Sequence, residues 1–222
     1  MTPSSRGTHA VTPRSPLTRD SVLRAAIALA DTDGIDKLTM RALGRALGVE
    51  AMSLYNHVAN KDAILDGITD AVFGDIVVPP AGTPWQEAMR LRALSAHEAL
   101  LAHPWATLLI TSRFNIGPGM TRYLDATLGR LLEGGFTIEG ALDAWHALDS
   151  HIYGFTLQQL NLPFAAEEAS QVSTDVLPRL DAARFPHVVD IIGRIMQTGR
   201  TEDFTFGLDL ILDGLERRLR SS

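Results

Sequence analysis

The chain has 222 residues, of which 45% are hydrophobic and 21% charged, and it contains no cysteine. The absence of cysteine excludes disulfides, thiolate zinc sites and cysteine nucleophiles. No apolar run approaches the roughly 20 residues that span a bilayer, and the first residues lack the basic-then-apolar pattern of a secretory signal. We therefore expect a soluble, cytoplasmic protein with no membrane partner.

The charge is unevenly distributed along the chain. The formal net charge of −6 by itself argues against nucleic-acid binding, but residues 1–62 carry a net charge of +2 and the rest of the chain carries −8. A basic head on an acidic body suits a protein that presents one end to DNA. Residues 1–17 are rich in Pro, Ser, Thr and Arg and are predicted to form a disordered basic tail.

Short helical patterns follow this tail. Thr18 is a predicted N-cap for a helix that stops at Gly34, and Thr39 is a predicted N-cap for a second helix that ends at Gly48. After a three-residue turn, a further short helix is predicted over 51–57.

The remainder of the chain is also predicted to be helical. Asn60 is expected to cap a longer helix over 61–74, and a turn-rich break follows at 78–84. Further helices are predicted over 84–102, 118–133, 137–160, 168–182, 186–198 and 203–219. No stretch alternates with period two, so the predicted fold is all-α, with a three-helix domain at 18–62 and a helical bundle at 63–222 joined through helix 61–74.

The segment 39–57 has the spacing of a helix-turn-helix. Two short helices joined by a glycine-containing turn allow the second helix to enter the major groove of DNA. Gly44 is predicted to lie where the helices cross most closely, and Gly48 to adopt the left-handed conformation. An apolar seam is expected from Leu43, Leu47, Val49 and Leu54. On pattern alone, a plain helical hairpin is the alternative interpretation.

Several runs of residues match a known family. The segments 38–41, 47–50, 54–58 and 60–61, together with Leu65, closely resemble the DNA-binding domain of the TetR family, and most of all its tetracycline-repressor branch. This likeness covers about residues 18–75. Gly135, Phe136 and the terminal segment 204–216 are similar to the C-terminal domain of the same branch.

The resemblance implies a transcriptional repressor that binds double-stranded operator DNA. It assigns DNA binding to Thr39, Arg41, Ala51, Met52, Ser53, Tyr55, Asn56, His57 and Lys61. In that assignment Arg41 reads a base, residues 51–53 face base edges, and Tyr55, His57 and Lys61 hold phosphates with help from Thr39. Alanine and methionine cannot form bidentate hydrogen bonds, so we expect contacts to thymine methyl groups and an operator unlike that of the tetracycline repressors.

The larger domain is expected to form a homodimer and to bind a small molecule. The dimer prediction rests on the apolar faces of helices 137–160 and 203–219, namely Leu142, Trp145, Leu148, Ile152, Phe206, Leu210 and Leu215, although the same residues could form an ordinary intrachain core. The polar and aromatic residues predicted to line a ligand pocket are His103, Arg113, Phe114, Asn115, Tyr123, Trp145, His146, Asp149 and Tyr153.

Other kinds of site are not favoured by the sequence. His97 and Glu98 are followed by His103 at a spacing that does not form a zinc-protease motif, and no nucleophile accompanies His146 and Asp149. Ile110 occupies the position that matches a metal-binding histidine of the tetracycline repressors. We therefore predict no metal, no cofactor and no enzymatic activity. The alternatives are an enzyme built on the helical bundle and a DNA-binding protein without a ligand.

Overall fold

A computed structural model describes residues 16–113, 116–161, 177–198 and 203–221 of the chain. Within these ranges the protein is helical and has no β-strand, which confirms the predicted fold class. The chain divides into two compact units, Met1–Ile64 and Leu65–Ser222. None of the described helices is both long enough and apolar enough to cross a membrane.

The N-terminal unit consists of short helices. Its elements are α1 (Arg19–Asp33), a 3₁₀ turn (Ile35–Lys37), α2 (Met40–Leu47), α3 (Ala51–Leu54) and the first residues of α4 (Lys61–Asp75). The side-chain oxygens of Thr18, Thr39 and Asn60 each accept a hydrogen bond from the backbone N–H three residues further on, at 3.1, 3.1 and 2.8 Å. These contacts confirm the three predicted caps.

The second helix of the helix-turn-helix is shorter than the sequence predicts. α3 ends at Leu54, and the predicted helical residues 55–57 form turns. The N–H groups of Tyr55, Asn56 and His57 donate to carbonyl oxygens three residues earlier in the chain. These hydrogen bonds form turns that are tighter than those of an α-helix. Leu54 and Val58 on either side of these turns are both buried.

The C-terminal unit begins within α4 and continues as a helical bundle. Its further elements are α5 (Trp85–Ala102), α6 (Pro104–Ser112), α7 (Pro118–Glu133), α8 (Ile138–Asn161), a 3₁₀ turn (Leu177–Arg179), α9 (Pro186–Thr198) and α10 (Phe204–Ser221). α5 lies at the centre of this unit and packs against α6, α7, α8 and α10. Alanines at the contacting positions, including Ala93, Ala96, Ala141 and Ala144, are buried and permit this close packing.

Two predictions for this unit require correction or fall outside the described residues. No helix was predicted between residues 102 and 118, where α6 lies. Pro104 is the first residue of that helix, where its missing N–H would have no helical partner in any case. Most of the predicted helix 168–182 lies outside the described residues, and its described part contains the 3₁₀ turn Leu177–Arg179.

The apolar faces predicted for a dimer interface are only partly at the surface. Leu148 and Ile152 are fully buried in the core of the chain itself, so for these two residues the intrachain interpretation is correct. Leu142, Phe206 and Leu210 are 38%, 62% and 58% exposed, respectively. Of the residues predicted for the interface, these three are therefore the exposed ones.

The start of α10 is held by two histidines. The ring of His97 on α5 stacks on Phe204 at 4.2 Å between centroids, and its Nδ1 lies 2.8 Å from Thr156 Oγ1. The Nε2 of His151 on α8 lies 2.9 Å from the carbonyl oxygen of Phe204. Burial, and secondly the nearby His151, lower the pKa of His97, so His97 acts as a neutral core residue near pH 7.

Candidate functional sites

The turn of the helix-turn-helix depends on two glycines. Gly48 has φ +66° and ends α2 in the left-handed conformation, as predicted. A Cβ added at Gly44 would lie 2.9 Å from the carbonyl oxygen of Val49 and 3.2 Å from the backbone nitrogen of Ala51. Both neighbours are backbone atoms that cannot move aside independently. The sequence-based prediction of a close crossing at Gly44 is confirmed.

This close contact leads to a stability prediction. Gly44→Val is expected to lower the free energy of unfolding of the N-terminal unit by about 1–3 kcal/mol, because the added side chain must displace the turn. The control is Ala46→Val, at an exposed position of the same helix, where valine lowers helix propensity, whereas valine in place of Gly44 raises it. Thermal unfolding of both variants measures the difference. A Gly44→Val variant that is no less stable than the unmodified protein would show that the crossing tolerates a side chain.

The residues predicted to contact DNA lie mostly at the surface of this unit. Met52 is 75% exposed, which leaves an apolar side chain in water beside the start of α3. Half-buried positions are Ala51, Ser53 and His57, and exposed ones are Thr39, Arg41, Tyr55, Asn56 and Lys61. Thr39 also has a structural role, because its hydroxyl caps α2. The surface combines cations and hydroxyls with an apolar group, as base and phosphate contacts require.

The C-terminal unit contains a cavity of about 550 Å³, which we call the central cavity. This volume is within the usual range of small-molecule sites. The residues that line it are Thr69, Phe73, Ile110, Arg113, Ile116, Met120, Thr121, Leu124, Asp125, Leu128, Trp145, Asp149 and Tyr153. Most of this lining is apolar, with a few polar groups.

Three helices contribute to the central cavity by regular spacing. α8 presents Trp145, Asp149 and Tyr153, each four residues after the last, and α7 presents residues 120, 124 and 128 at the same interval. α4 presents residues 69 and 73. Since residues four apart share one helix face, this spacing was the available signal for the residues on α4 and α7 that the sequence analysis missed.

Only some of the nine residues predicted for the ligand pocket line the central cavity. Arg113, Trp145, Asp149 and Tyr153 line the central cavity. Three others do not line it: Tyr123 is buried behind the cavity wall, half-buried His103 packs beside Trp105, and exposed His146 packs beside Trp145. Phe114 and Asn115 lie outside the described residues. His146 therefore does not join Asp149 and Tyr153 in one cluster.

A buried ion pair lies directly behind the polar part of this cavity. Arg92 on α5 is fully buried and pairs through Nη2 with Oδ1 of Asp149. Its guanidinium lies 4.8 Å from the ring centroid of Tyr123. Burial disfavours the charge, but Tyr123 and Asp149 raise the pKa of Arg92 above its ordinary value, so the group stays protonated. Tyr153 donates to the other carboxylate oxygen of Asp149 at 3.1 Å.

The first turn of α7 is bound to α4. The carboxylate of Asp70 accepts hydrogen bonds from the N–H groups of Gly119 and Met120 at 3.1 and 2.9 Å. A Cβ at Gly119 would lie 2.2 Å from the carbonyl oxygen of Asp70, so this contact requires glycine there. Nearby, Nε of Arg113 donates to Asp66 at 3.0 Å. Helix α4 is thus linked by hydrogen bonds to the residue that follows α6 and to the first turn of α7.

Among the residues that the structure describes, no three His, Asp or Glu side chains are grouped as a metal ion would require. Ile110 contributes apolar wall to the central cavity.

Comparison with known proteins identifies both units. A family model described as "Bacterial regulatory proteins, tetR family" matches residues 22–68, and one described as "Tetracyclin repressor-like, C-terminal domain" matches residues 78–219. The chain belongs to the TetR family. This TetR-family chain is a DNA-binding transcriptional regulator. The resemblance inferred from the motifs is confirmed.

Individual relatives extend the likeness of this TetR-family chain over its length. The tetracycline repressor protein class D of Escherichia coli is 31% identical and covers 91% of each chain. A helix-turn-helix transcriptional regulator of Saccharopolyspora erythraea is 35% identical over 62% of this chain and 59% of its own length. The structure of ActR from Streptomyces coelicolor in complex with actinorhodin has a TM-score of 0.74, 30% identity and coverage of 92% and 99%.

Proposed function

We propose that two copies of this chain bind a palindromic operator and repress transcription until a small amphiphilic or aromatic ligand occupies the central cavity. One helix-turn-helix offers few contacts, whereas a two-fold dimer places two such helices about 34 Å apart, one turn of DNA. Leu142, Phe206 and Leu210 leave apolar area on α8 and α10 that a second copy would cover. This arrangement acts on DNA in the cytoplasm.

One observation carries the proposed coupling between ligand and DNA. Met120 lines the central cavity and also donates its backbone N–H to Asp70 of α4. Thr69 and Phe73 of α4 line the cavity directly. A ligand in the cavity therefore contacts the helix that contains the boundary between the two units at Ile64.

The coupling is a shift between two populations of the dimer. The ligand favours the state in which α4 is displaced, and the operator favours the other state, so each weakens binding of the other. A coupling free energy of about 1–3 kcal/mol corresponds to a 5- to 150-fold loss of operator affinity. A verified inducer that leaves operator affinity unchanged would contradict this account.

The ligand class follows from the cavity walls and from one relative. Ile110, Ile116, Leu124 and Leu128 provide apolar walls, which suit a ligand with a large apolar surface. The structure of ActR in complex with actinorhodin supports a small organic molecule as the ligand of this chain. Ile110 offers no metal ligand, so we do not expect a metal-chelated tetracycline.

The DNA contacts are proposed by position. Arg41 at the start of α2 reads a base, and residues 51–53 face base edges. Asn56, in the turns that follow α3, also contacts the DNA. Tyr55, His57 and Lys61 hold phosphates, and Thr39 assists while it caps α2. The exposure of Met52 supports an apolar contact to a thymine methyl group.

Selection of randomised duplex DNA with sequencing, at a stated salt concentration, tests the whole proposal. We expect an enriched palindrome for the unmodified protein. Arg41→Ala is expected to relax preference at one base position of each half-site at a cost of about 1–3 kcal/mol, while Lys61→Ala weakens all sequences and reduces the salt dependence. Absence of any enriched sequence from a folded, dimeric preparation would contradict operator recognition.

Enzymatic activity is not part of the proposed function. The relatives named above are regulators, and the polar cluster at Asp149 serves an ion pair with Arg92 rather than a nucleophile. A ligand-independent DNA-binding protein is disfavoured by the central cavity, because such a protein would be expected to fill this space with side chains.

A further inference from the structure

We infer that the polar groups of the central cavity select a neutral ligand that donates a hydrogen bond, so that the effector is an apolar aromatic molecule with a hydroxyl group directed at Asp149 and Tyr153. This inference rests on the proposed function, because it names the class of ligand for the same cavity. The polar groups of the cavity differ in whether they donate or accept hydrogen bonds, and this difference decides which ligand they bind.

The hydroxyl protons around the cavity are already used within the protein. Thr69 donates to the carbonyl oxygen of Leu65 at 2.8 Å, and Thr121 donates to that of Gly117 at 2.8 Å. Tyr153 donates to Asp149 at 3.1 Å. Each hydroxyl has only one proton, so these three groups present oxygen lone pairs to a ligand.

The carboxylates add acceptors and no donor. Asp125 and Asp149 both line the cavity, and an ionised carboxylate can only accept. Burial, and secondly Asp149, raise the pKa of Tyr153 well above its ordinary value, which keeps that group as a neutral phenol. An ether or carboxylate oxygen of a ligand would therefore meet lone pairs at these groups. The lining also contains the indole N–H of Trp145, which has no hydrogen-bond partner in the described part of the chain, and a ligand hydroxyl suits this mixed lining because it both donates and accepts.

The buried arginine explains how this acceptor end is maintained. Arg92 pairs with Asp149, yet its Nε and Nη1 have no hydrogen-bond partner in the described part of the chain. A buried ion pair with unpaired donors contributes little to stability, and apolar residues of similar size often replace such a pair without loss. Its specific consequence here is that the carboxylate of Asp149 is held in one orientation, between Arg92 and Tyr153, with its charge balanced.

That balance favours a neutral ligand. A cationic ligand would approach Asp149 after Arg92 has already neutralised it, and an anionic ligand would face the acceptors described above. The guanidinium of Arg113 in the cavity lining donates through Nε to Asp66, so its charge is balanced as well and an anionic ligand gains little from it. A hydroxyl group supplies a proton without adding charge, so it suits the site best.

A ligand series on the unmodified protein tests the inference. The probes are 2-naphthol, 2-methoxynaphthalene, 2-naphthoate and 2-naphthylmethylammonium, which share one apolar ring system and differ in the polar group. Titration calorimetry is expected to show that 2-naphthol binds at least about tenfold more tightly than each of the others. Equal or tighter binding of the methyl ether, the carboxylate or the ammonium compound would overturn the inference.

A double variant provides the second test. Replacing the pair together, Arg92→Met with Asp149→Leu, removes both charges and leaves Tyr153 without its acceptor. Its proton then becomes available to a ligand, so the preference for 2-naphthol over the methyl ether should fall to within about threefold. Leu128→Ala is the matched control, because it should weaken both ligands and preserve their ratio. An unchanged preference in a folded double variant would contradict the role of Asp149.

Failure of this inference can be distinguished from failure of the proposed function. If the protein selects a palindrome but prefers 2-naphthoate, the operator proposal stands and the ligand class is wrong. If no sequence is selected while 2-naphthol binds with the expected preference, the cavity assignment stands and the operator proposal fails. Circular dichroism of the double variant checks its fold, and the series on the unmodified protein decides the question independently of that variant.

Discussion

Replacing Asp149 with alanine is expected to lower the free energy of unfolding by roughly 3–5 kcal/mol, because the change leaves the guanidinium of Arg92 buried without a counter-charge. Tyr153 loses its acceptor at the same time. Such a loss is a large fraction of the stability of a typical domain. Urea denaturation followed by helical circular dichroism measures it, provided that the slope of the transition is unchanged.

Two further variants identify the cause of that loss. Asp125→Ala removes a carboxylate from an exposed position in the same cavity lining and should change stability by no more than about 0.5 kcal/mol. Arg92→Met combined with Asp149→Leu should recover most of the stability, because no buried charge remains. A double variant as unstable as Asp149→Ala would show that packing, rather than an unpaired charge, is responsible.

Asp70→Ala is expected to uncouple ligand binding from operator release. The substitution removes both hydrogen bonds from α4 to the first turn of α7 while the side chains of the cavity lining remain. The ligand should still bind, but its 5- to 150-fold effect on operator affinity should fall to a few-fold. Operator titration by fluorescence anisotropy, with and without saturating ligand, measures this ratio.

The matched control for this coupling is Asp75→Ala at the last residue of the same helix. Asp75 is exposed, and the substitution removes the same charge from α4. We expect the ligand effect on operator affinity to be preserved in this variant. If both variants lose the effect equally, the charge of α4 matters and the contact with α7 does not. If Asp70→Ala retains the full effect, the ligand acts by another route.

Local features of the fold were predictable from the sequence because their causes lie within a few residues. Thr18 and Thr39 cap the helices that follow them, and Gly48 ends α2 in the left-handed conformation. The helix α6, which was not predicted, has a local cause as well, since it begins at Pro104 and proline is favoured at the first helical position.

Recognition of the family also depended on local spacing. The turn at 48–50 and the motif residues between 38 and 65 lie in one continuous segment. The family motif can therefore be identified from the order of neighbouring residues. The length of α3 did not follow from that motif. Leu54 and Val58 are both buried by tertiary packing. The residues between them form tight turns, and α3 does not continue through them.

By itself, the sequence determined the all-α class, the helix-turn-helix, its caps and the family, because helical periodicity and turn chemistry are properties of neighbouring residues. Only the tertiary structure decided which residues form the central cavity. Arg92 and Asp149 are 57 positions apart, and Asp70 meets Met120 across 50 positions. Whether a polar residue on an amphipathic helix faces a cavity, as Tyr153 does, or solvent, as His146 does, depends on which helices pack around it.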